Sequence, residues 1–254
     1  MGAAARHSRV LRLWVSGLMV LGCAPQRVNI SLMPPQIATS ATARPSAPSS
    51  IVWQELFDAM PEAPWREVEV RRHTQYRVTE LDDHRCLEAR SHDGASILLH
   101  PVQFDPDTYE WLSWDWRVDQ LVEGEALRTK GGSDAAARVY VYFDTRGLPW
   151  QKRSIDYVWS STLPVGTLLD SAFSAESKII VAESGTERLG QWRGVERNLE
   201  ADYHRAFPGA LPDVIAIGVM NDTDNTGGTA LAYFDNLHVS KEPMHVGSTR
   251  DSTP

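Results

Sequence analysis

Residues 111–119, Trp111-Leu112-Ser113-Trp114-Asp115-Trp116-Arg117-Val118-Asp119, decide the fold. Leu112, Trp114, Trp116 and Val118 alternate with Trp111, Ser113, Asp115, Arg117 and Asp119, the period of two that marks a strand with one buried, here strongly aromatic, face. Ala137 to Phe143 repeats the pattern. Val139, Val141 and Phe143 are expected to face the core, and Arg138, Tyr140 and Tyr142 the other side. Between the two strands, Lys130-Gly131-Gly132-Ser133-Asp134 reads as a flexible loop carrying a cation and an anion. If the strands are neighbours, or face each other across a groove, then Trp111, Asp115, Arg117, Lys130, Asp134, Arg138, Tyr140 and Tyr142 converge on one polar, aromatic-lined patch. That patch is the candidate ligand site.

Outward from this stretch, about ten short alternating runs recur at the spacing of a sandwich. They include Tyr76 to Leu81, Cys86 to Ser91, Ala95 to His100, Ile155 to Ser160, Lys178 to Glu183, Val214 to Asn221 and Leu231 to Val239. Asp82-Asp83 separates the first two, and Asp93-Gly94 suits the positive φ angles of a tight hairpin turn. Leu199, Tyr203 and Phe207 form one apolar stripe that Pro208-Gly209 stops, which predicts a short helix on the sandwich rim. The expected architecture is all-β: one antiparallel sandwich over residues 51–242 with a single short helix, since 42% hydrophobic content supports one sizeable domain.

The segments before and after read differently. Arg6, Arg9 and Arg12 precede the ten-residue apolar run Leu13 to Gly22, too short for a bilayer span and suited to a secretory leader. Val20-Leu21-Gly22-Cys23 is similar to the bacterial lipobox, in which the cysteine is acylated; a plain signal peptide or an uncleaved anchor is the alternative. The lipoprotein reading makes 1–22 a leader, Cys23 the lipidation site and 23–50, rich in Pro, Ala, Ser and Thr, a disordered tether. Residues 243–254 read as a disordered tail. The resemblance implies a cell-envelope location anchored to a membrane through lipid, and Ala24 resembles the residue found after the cysteine in lipoproteins sorted to the outer membrane, there facing the periplasm.

Net charge is −8, and without the three leader arginines −8 − 3 = −11, so nucleic-acid binding, which needs a cationic footprint, is excluded. Cys86 would have no disulfide partner once Cys23 is lipidated and reads as a small buried strand residue.

Five ordered elements carry a family resemblance: Trp114 to Asp119, Lys130 to Asp134, Ala137 to Val141, Asp156-Tyr157-Val158-Trp159, and Asp222-Thr223-Asp224-Asn225-Thr226. Together they resemble the bacterial domain of unknown function 3047, across roughly Val52 to Val239. That resemblance implies no activity. Phe57-Asp58 and Tyr233 to Leu237 are also similar to the first and last strands of jelly-roll carbohydrate-binding modules, which implies a jelly-roll-like topology. In such sugar-binding folds a structural calcium often bridges those strands, so Asp58 and Asp235 become one candidate cation pair. Asp222, Asp224 and Asn225, the densest oxygen cluster, form another, although a loop bonding its own backbone explains them as well.

Catalysis has weaker signals. A glycosidase needs two carboxylates about 5–10 Å apart; Asp115, Asp119, Asp156 and Glu183 are candidates, with pairing to Arg117 and Arg138 the commoner role. No nucleophile elbow, zinc motif or phosphate loop occurs. Trp114, Trp116, Trp159 and Trp192 read as core, Trp111 and Trp150 as platform candidates. Three functions follow: an envelope-tethered module binding carbohydrate or a related polar envelope ligand, a polysaccharide-acting hydrolase or lyase, or a structural lipoprotein with a protein partner. The lipidation reading predicts that the mature protein fractionates with membranes and takes up labelled palmitate, and that Cys23→Ser releases it. A Cys23→Ser protein still bound to membrane, with no label in the wild type, contradicts it.

Overall fold

The computed structural model describes residues 50–145 and 152–244; the expected leader with Cys23, nearly all of the expected tether, Trp150 and most of the expected tail lie outside them. None of the described helices is long and apolar enough to cross a membrane. Among the described residues thirteen strands form two sheets. β1 is Ile51–Glu55, β2 Arg66–Arg71, β3 Gln75–Leu81, β4 His84–His92, β5 Ala95–Phe104, β6 Trp111–Gln120 and β7 Ala135–Phe143. β8 is Arg153–Ser160, β9 Leu168–Asp170, β10 Ser177–Ser184, β11 Arg193–Asn198, β12 Val214–Asp222 and β13 Thr229–Ser240. One sheet runs β11-β6-β13-β4-β3 with β1 added beside β13, and the other runs β2-β5-β12-β7-β8-β10-β9. Pairing is antiparallel apart from β8 with β10. The protein is therefore the expected jelly-roll-like sandwich, with one parallel pair in it.

The alternation read in the sequence is what builds the core. Leu112, Trp114, Trp116 and Val118 of β6 point inward from the six-stranded sheet, and Val139, Val141 and Phe143 of β7 point inward from the seven-stranded one. Aromatic rings span the gap between layers: Trp114 lies 5.3 Å from Trp116 and 5.3 Å from Tyr157, and Trp116 lies 6.0 Å from Trp159. Such rings fill a layer spacing of about 10 Å that aliphatic side chains alone fill less completely.

Polar links tie the layers at one rim. The buried Asn221 of β12 donates from Nδ2 to the Ala136 carbonyl of β7 at 2.6 Å and accepts from Ser91 Oγ of β4. At the other rim, helix α1, Leu199–Ala206, is capped by Asn198, whose Oδ1 accepts from the Ala201 amide at 2.8 Å. Its Asp202 accepts from Tyr157 Oη at 2.9 Å, so the helix is anchored to the core by a polar bond as well as by Tyr203.

Several local expectations change. β2, β9 and β11 were not legible as strands, β2 because Arg-Glu-Val-Glu-Val-Arg offers only two apolar residues. Residues 130–134 are not a flexible loop: Lys130–Gly132 is a 3-10 turn, and Ser133 and Asp134 are buried. A Cβ on Gly132 would come within 2.7 Å of the Ala126 Cβ, so this glycine serves close packing rather than motion. In the Asp93-Gly94 turn the positive φ belongs to Asp93 alone. Trp192 is half-buried on the outside of the six-stranded sheet, 4.9 Å from His84, rather than in the core. Cys86 is fully buried, as expected.

Trp116→Ala should cost about 3–5 kcal/mol of stability, because truncating a fully buried indole leaves a cavity that the sandwich cannot collapse. Urea unfolding measures it, and a loss below about 1 kcal/mol contradicts the described core.

Candidate functional site

β6 and β7 belong to opposite sheets, and both send their apolar residues inward, so their other faces look away from each other on the two outsides of the sandwich. The single expected patch is thereby divided. Trp111, Asp115 and Arg117 lie on the outer face of the six-stranded sheet. Arg138, Tyr140 and Tyr142 lie on that of the seven-stranded sheet, with Asp134 at its rim and Lys130 exposed.

The outer face of the six-stranded sheet is a lattice of ion pairs. Arg117 Nε donates to Asp119 Oδ1 at 2.6 Å and Nη1 to Asp82 Oδ2 at 2.8 Å, and Arg77 binds Glu88 through two bonds of 2.9 Å. Asp115 Oδ2 accepts from Asn236 Nδ2 at 2.8 Å. Pairs near solvent contribute only about 0–1 kcal/mol each. Asp115 and Asp156 point outward from opposite sheets about 10 Å apart, so they cannot flank one glycosidic bond. Glu183 is held by Arg193 Nε at 3.1 Å. These three acids therefore do not form the carboxylate pair of a glycosidase, while Asp119 makes the ion pair with Arg117 that was the commoner role expected of such acids.

The outer face of the seven-stranded sheet is different in kind. Strand register sets Leu99, Gly218, Tyr140 and Asp156 in one row across β5, β12, β7 and β8, with Met220, Arg138 and Val158 in the next. The Tyr140 and Tyr142 rings, two residues apart on one strand, stack at 5.8 Å and 10°. Asp156 accepts from Ser154 Oγ at 3.0 Å and Ser177 Oγ at 3.2 Å. Arg138 donates from Nη2 to the Ser133 carbonyl at 2.6 Å and pairs with Asp222 Oδ2 at 3.1 Å, while its Nε is buried without a partner. These groups are enclosed: Arg138 is 3% exposed, Tyr140 8%, Tyr142 7% and Asp156 3%. Ile97, Leu99 and Met220 pack around the tyrosines, and Leu127 and Leu169 pack over Val158 and Ile179.

Asp134, Asp222 and Asp224 meet at the rim of this face, with oxygens within 4.8 Å of one another, a spacing compatible with a cation. Sequence reasoning found Asp222 and Asp224 here but placed Asp134 in a mobile loop. Asn225 turns its Nδ2 to these carboxylates, donating to Asp134 Oδ1 at 2.8 Å and to Asp224 Oδ1 at 2.5 Å. Asp134 also accepts from the Thr226 amide and Oγ1, both at 2.7 Å, and Asp222 is taken by Arg138, so most oxygens are already satisfied. Calcium, which takes six to eight oxygens, fits this donor set poorly. Asp58 and Asp235 join no such group: Asp58 is exposed after β1, and the buried Asp235 lies 3.5 Å from His84 Nε2.

The model of the family described as "Protein of unknown function (DUF3047)" matches residues 63–238. The chain belongs to this family. Among curated proteins none is significantly similar to it. Among solved structures it is similar to the family 30 carbohydrate-binding module of a cellulosomal cellulase of Clostridium thermocellum, at 11% identity and TM-score 0.42, over 75% of this chain and 99% of that one. It is also similar to the CBM22-1 xylan-binding domain of Paenibacillus barcinonensis Xyn10C, at 10% identity and TM-score 0.36, over 75% and 93%. A third is the xyloglucanase domain of NopAA from Sinorhizobium fredii, at 9% and TM-score 0.38, over 72% and 100%. At these scores none of them assigns a ligand to this DUF3047 chain.

The electrostatics of the face follow from its enclosure. Burial pushes the Asp156 carboxyl up to about 6, with Arg138 and the two serines pulling it back only in part. Burial also raises Asp222 well above the carboxylate range and raises Asp224, the negative neighbours adding to it. Asp134 goes the other way: burial would raise it, but the bonds from Asn225 and Thr226 together outweigh burial and hold it low. A carboxyl whose pKa is higher in the folded state favours folding below its ordinary value of 3.8, and that contribution is lost as pH rises through about 6. A rise of roughly two units corresponds to about 3 kcal/mol. Stability should therefore fall between pH 4 and pH 7.5, and Asp156→Asn should remove a large part of the fall in urea titrations at the two pH values. An unchanged difference contradicts the assigned burial of Asp156.

Proposed function

We propose that this protein is an envelope-tethered binding module for a carbohydrate or a related polar envelope ligand, and that the ligand is recognised on the outer face of the seven-stranded sheet. One observation carries the reading: the parallel Tyr140 and Tyr142 rings stand beside Arg138 and Asp156 on a face separate from the main core. Folding alone gives no reason for that set. An apolar residue at each position would enclose the face at lower cost, since buried ions lose hydration that their pairing repays only in part. Where a local rule of packing is broken in this way, function is the usual cause. Aromatic rings together with planar hydrogen-bonding groups are what sugar rings and their hydroxyls require.

The small exposure of the tyrosines shapes the prediction. Enclosed as they are, the rings offer no broad platform, and Tyr140 Oη already donates to Met220 Sδ at 3.4 Å, so recognition by this face is by hydrogen bonding to a short stretch of ligand. Calcium is not needed for this, because Arg138 already compensates Asp222. The tether reading rests on the basic and apolar run before Cys23 and on the Pro-rich segment after it.

A glycan array probed with the Cys23→Ser chain tests the proposal. Arg138→Ala is a poor probe, because breaking a buried pair costs about 3–5 kcal/mol of stability. Tyr142→Phe and Asp156→Asn keep shape and remove hydrogen-bonding capacity. Each should lower affinity for the retained glycan about tenfold or more, on the scale of 1.4 kcal/mol per decade, while the fold is kept. No retained glycan, or variants that bind as well as the wild type, contradicts the reading.

A further inference from the structure

A second feature shares no residue with the sheet face. Where the segment after α1 crosses the start of β8, an open cavity of about 610 Å³ is lined by Asp144, Arg153, Glu176, Tyr203 and residues 208–212. That volume lies within the range of small-ligand sites, about 300–1,000 Å³. Arg153 is its fixed element. Nη1 donates to Tyr203 Oη at 2.8 Å and to the Pro208 carbonyl at 3.0 Å, and Nε donates to Glu176 Oε2 at 3.2 Å. The guanidinium carbon also lies 4.9 Å from the Phe207 ring centroid. These contacts hold the plane of the guanidinium in one orientation and leave Nη2 without a protein partner among the described residues. A donor immobilised in this way loses little freedom when a ligand takes it up.

The acceptors stand on either side. The Asp144 side chain is 51% exposed while held by Lys152 Nζ at 2.5 Å, and that of Glu176 is 47% exposed while held by Arg153. Each carboxylate keeps lone pairs for hydroxyl donors, since a carboxylate accepts at about four positions. Arg153 from within the lining and Lys152 from behind it each pair with one of these carboxylates, so both anions are already compensated and neither an acid nor an amine gains from entering the cavity. Pro208, Leu211 and Pro212 supply an apolar wall beside the polar groups. We propose that this cavity is a second binding site, for a neutral hydroxyl-bearing ring of one or two sugar residues, with Arg153 donating and Asp144 and Glu176 accepting.

The site is tested in the Asp156→Asn background, so that failure of the sheet-face reading and failure of this one are seen separately. Cellobiose, maltose and xylobiose are titrated by calorimetry into the Cys23→Ser/Asp156→Asn chain, alongside glucuronate and glucosamine. At least one neutral disaccharide should bind, and the charged sugars more weakly. Ala210→Trp, at an exposed position on the cavity wall, should lower the affinity at least tenfold, and Glu176→Gln should lower it severalfold, both with an unchanged melting temperature. Binding of no disaccharide in this background overturns the proposal, as does equal binding of glucuronate or an affinity that Ala210→Trp and Glu176→Gln leave unchanged.

Discussion

The structure depends on the contact between the Trp114 and Trp116 rings of one sheet and Tyr157 and Trp159 of the other. Four large rings meeting between two layers bury more apolar surface than any other group in the chain's interior could with the same number of side chains, and they set the separation of the sheets. Because these rings occupy alternate positions on β6 and β8, every intervening residue is forced to the outside. Asp115 and Arg117 on one strand, and Ser154 and Asp156 on another, face outward for that reason. The outer faces are thus by-products of the core: once the rings turn inward, the chain has two outer faces to furnish.

It furnishes them unequally. The six-stranded sheet carries near-solvent ion pairs such as Arg117 with Asp119 and Arg77 with Glu88, which keep a face soluble at little gain or loss. The seven-stranded sheet encloses Arg138, Asp156 and Asp222 beside two tyrosines, which raises carboxyl pKa values and costs stability at neutral pH. The contrast between a cheap arrangement and an expensive one on the same sandwich is the physical basis for proposing recognition at the second.

Much of this was legible in the sequence. Alternation located β6, β7, β8 and β12, and the Leu199, Tyr203, Phe207 stripe located the helix. Alternation tells which residues share a face, however, and not which sheet that face belongs to. Hence Arg117 and Arg138 were expected together and lie on opposite outsides. The glycines at 131 and 132 signalled freedom, while the close approach of Ala126 to Gly132 that required one of them depends on a contact only the fold makes. Asp134 could not be linked to Asp222 and Asp224, because the hydrogen bonds that gather them join residues about ninety positions apart. The end cavity gave no signal at all, since Arg153 and Glu176 reach it from separate strands and loops.

The most direct test of the account is to follow tyrosine ring resonances while a glycan retained on the array is titrated into ring-labelled protein. Tyr140 and Tyr142 should shift together and saturate at the binding stoichiometry, while Tyr233, on the outer face of the six-stranded sheet, stays unmoved. A saturating shift of Tyr233 with Tyr140 and Tyr142 unchanged would place the ligand on the opposite side of the sandwich and contradict the central claim.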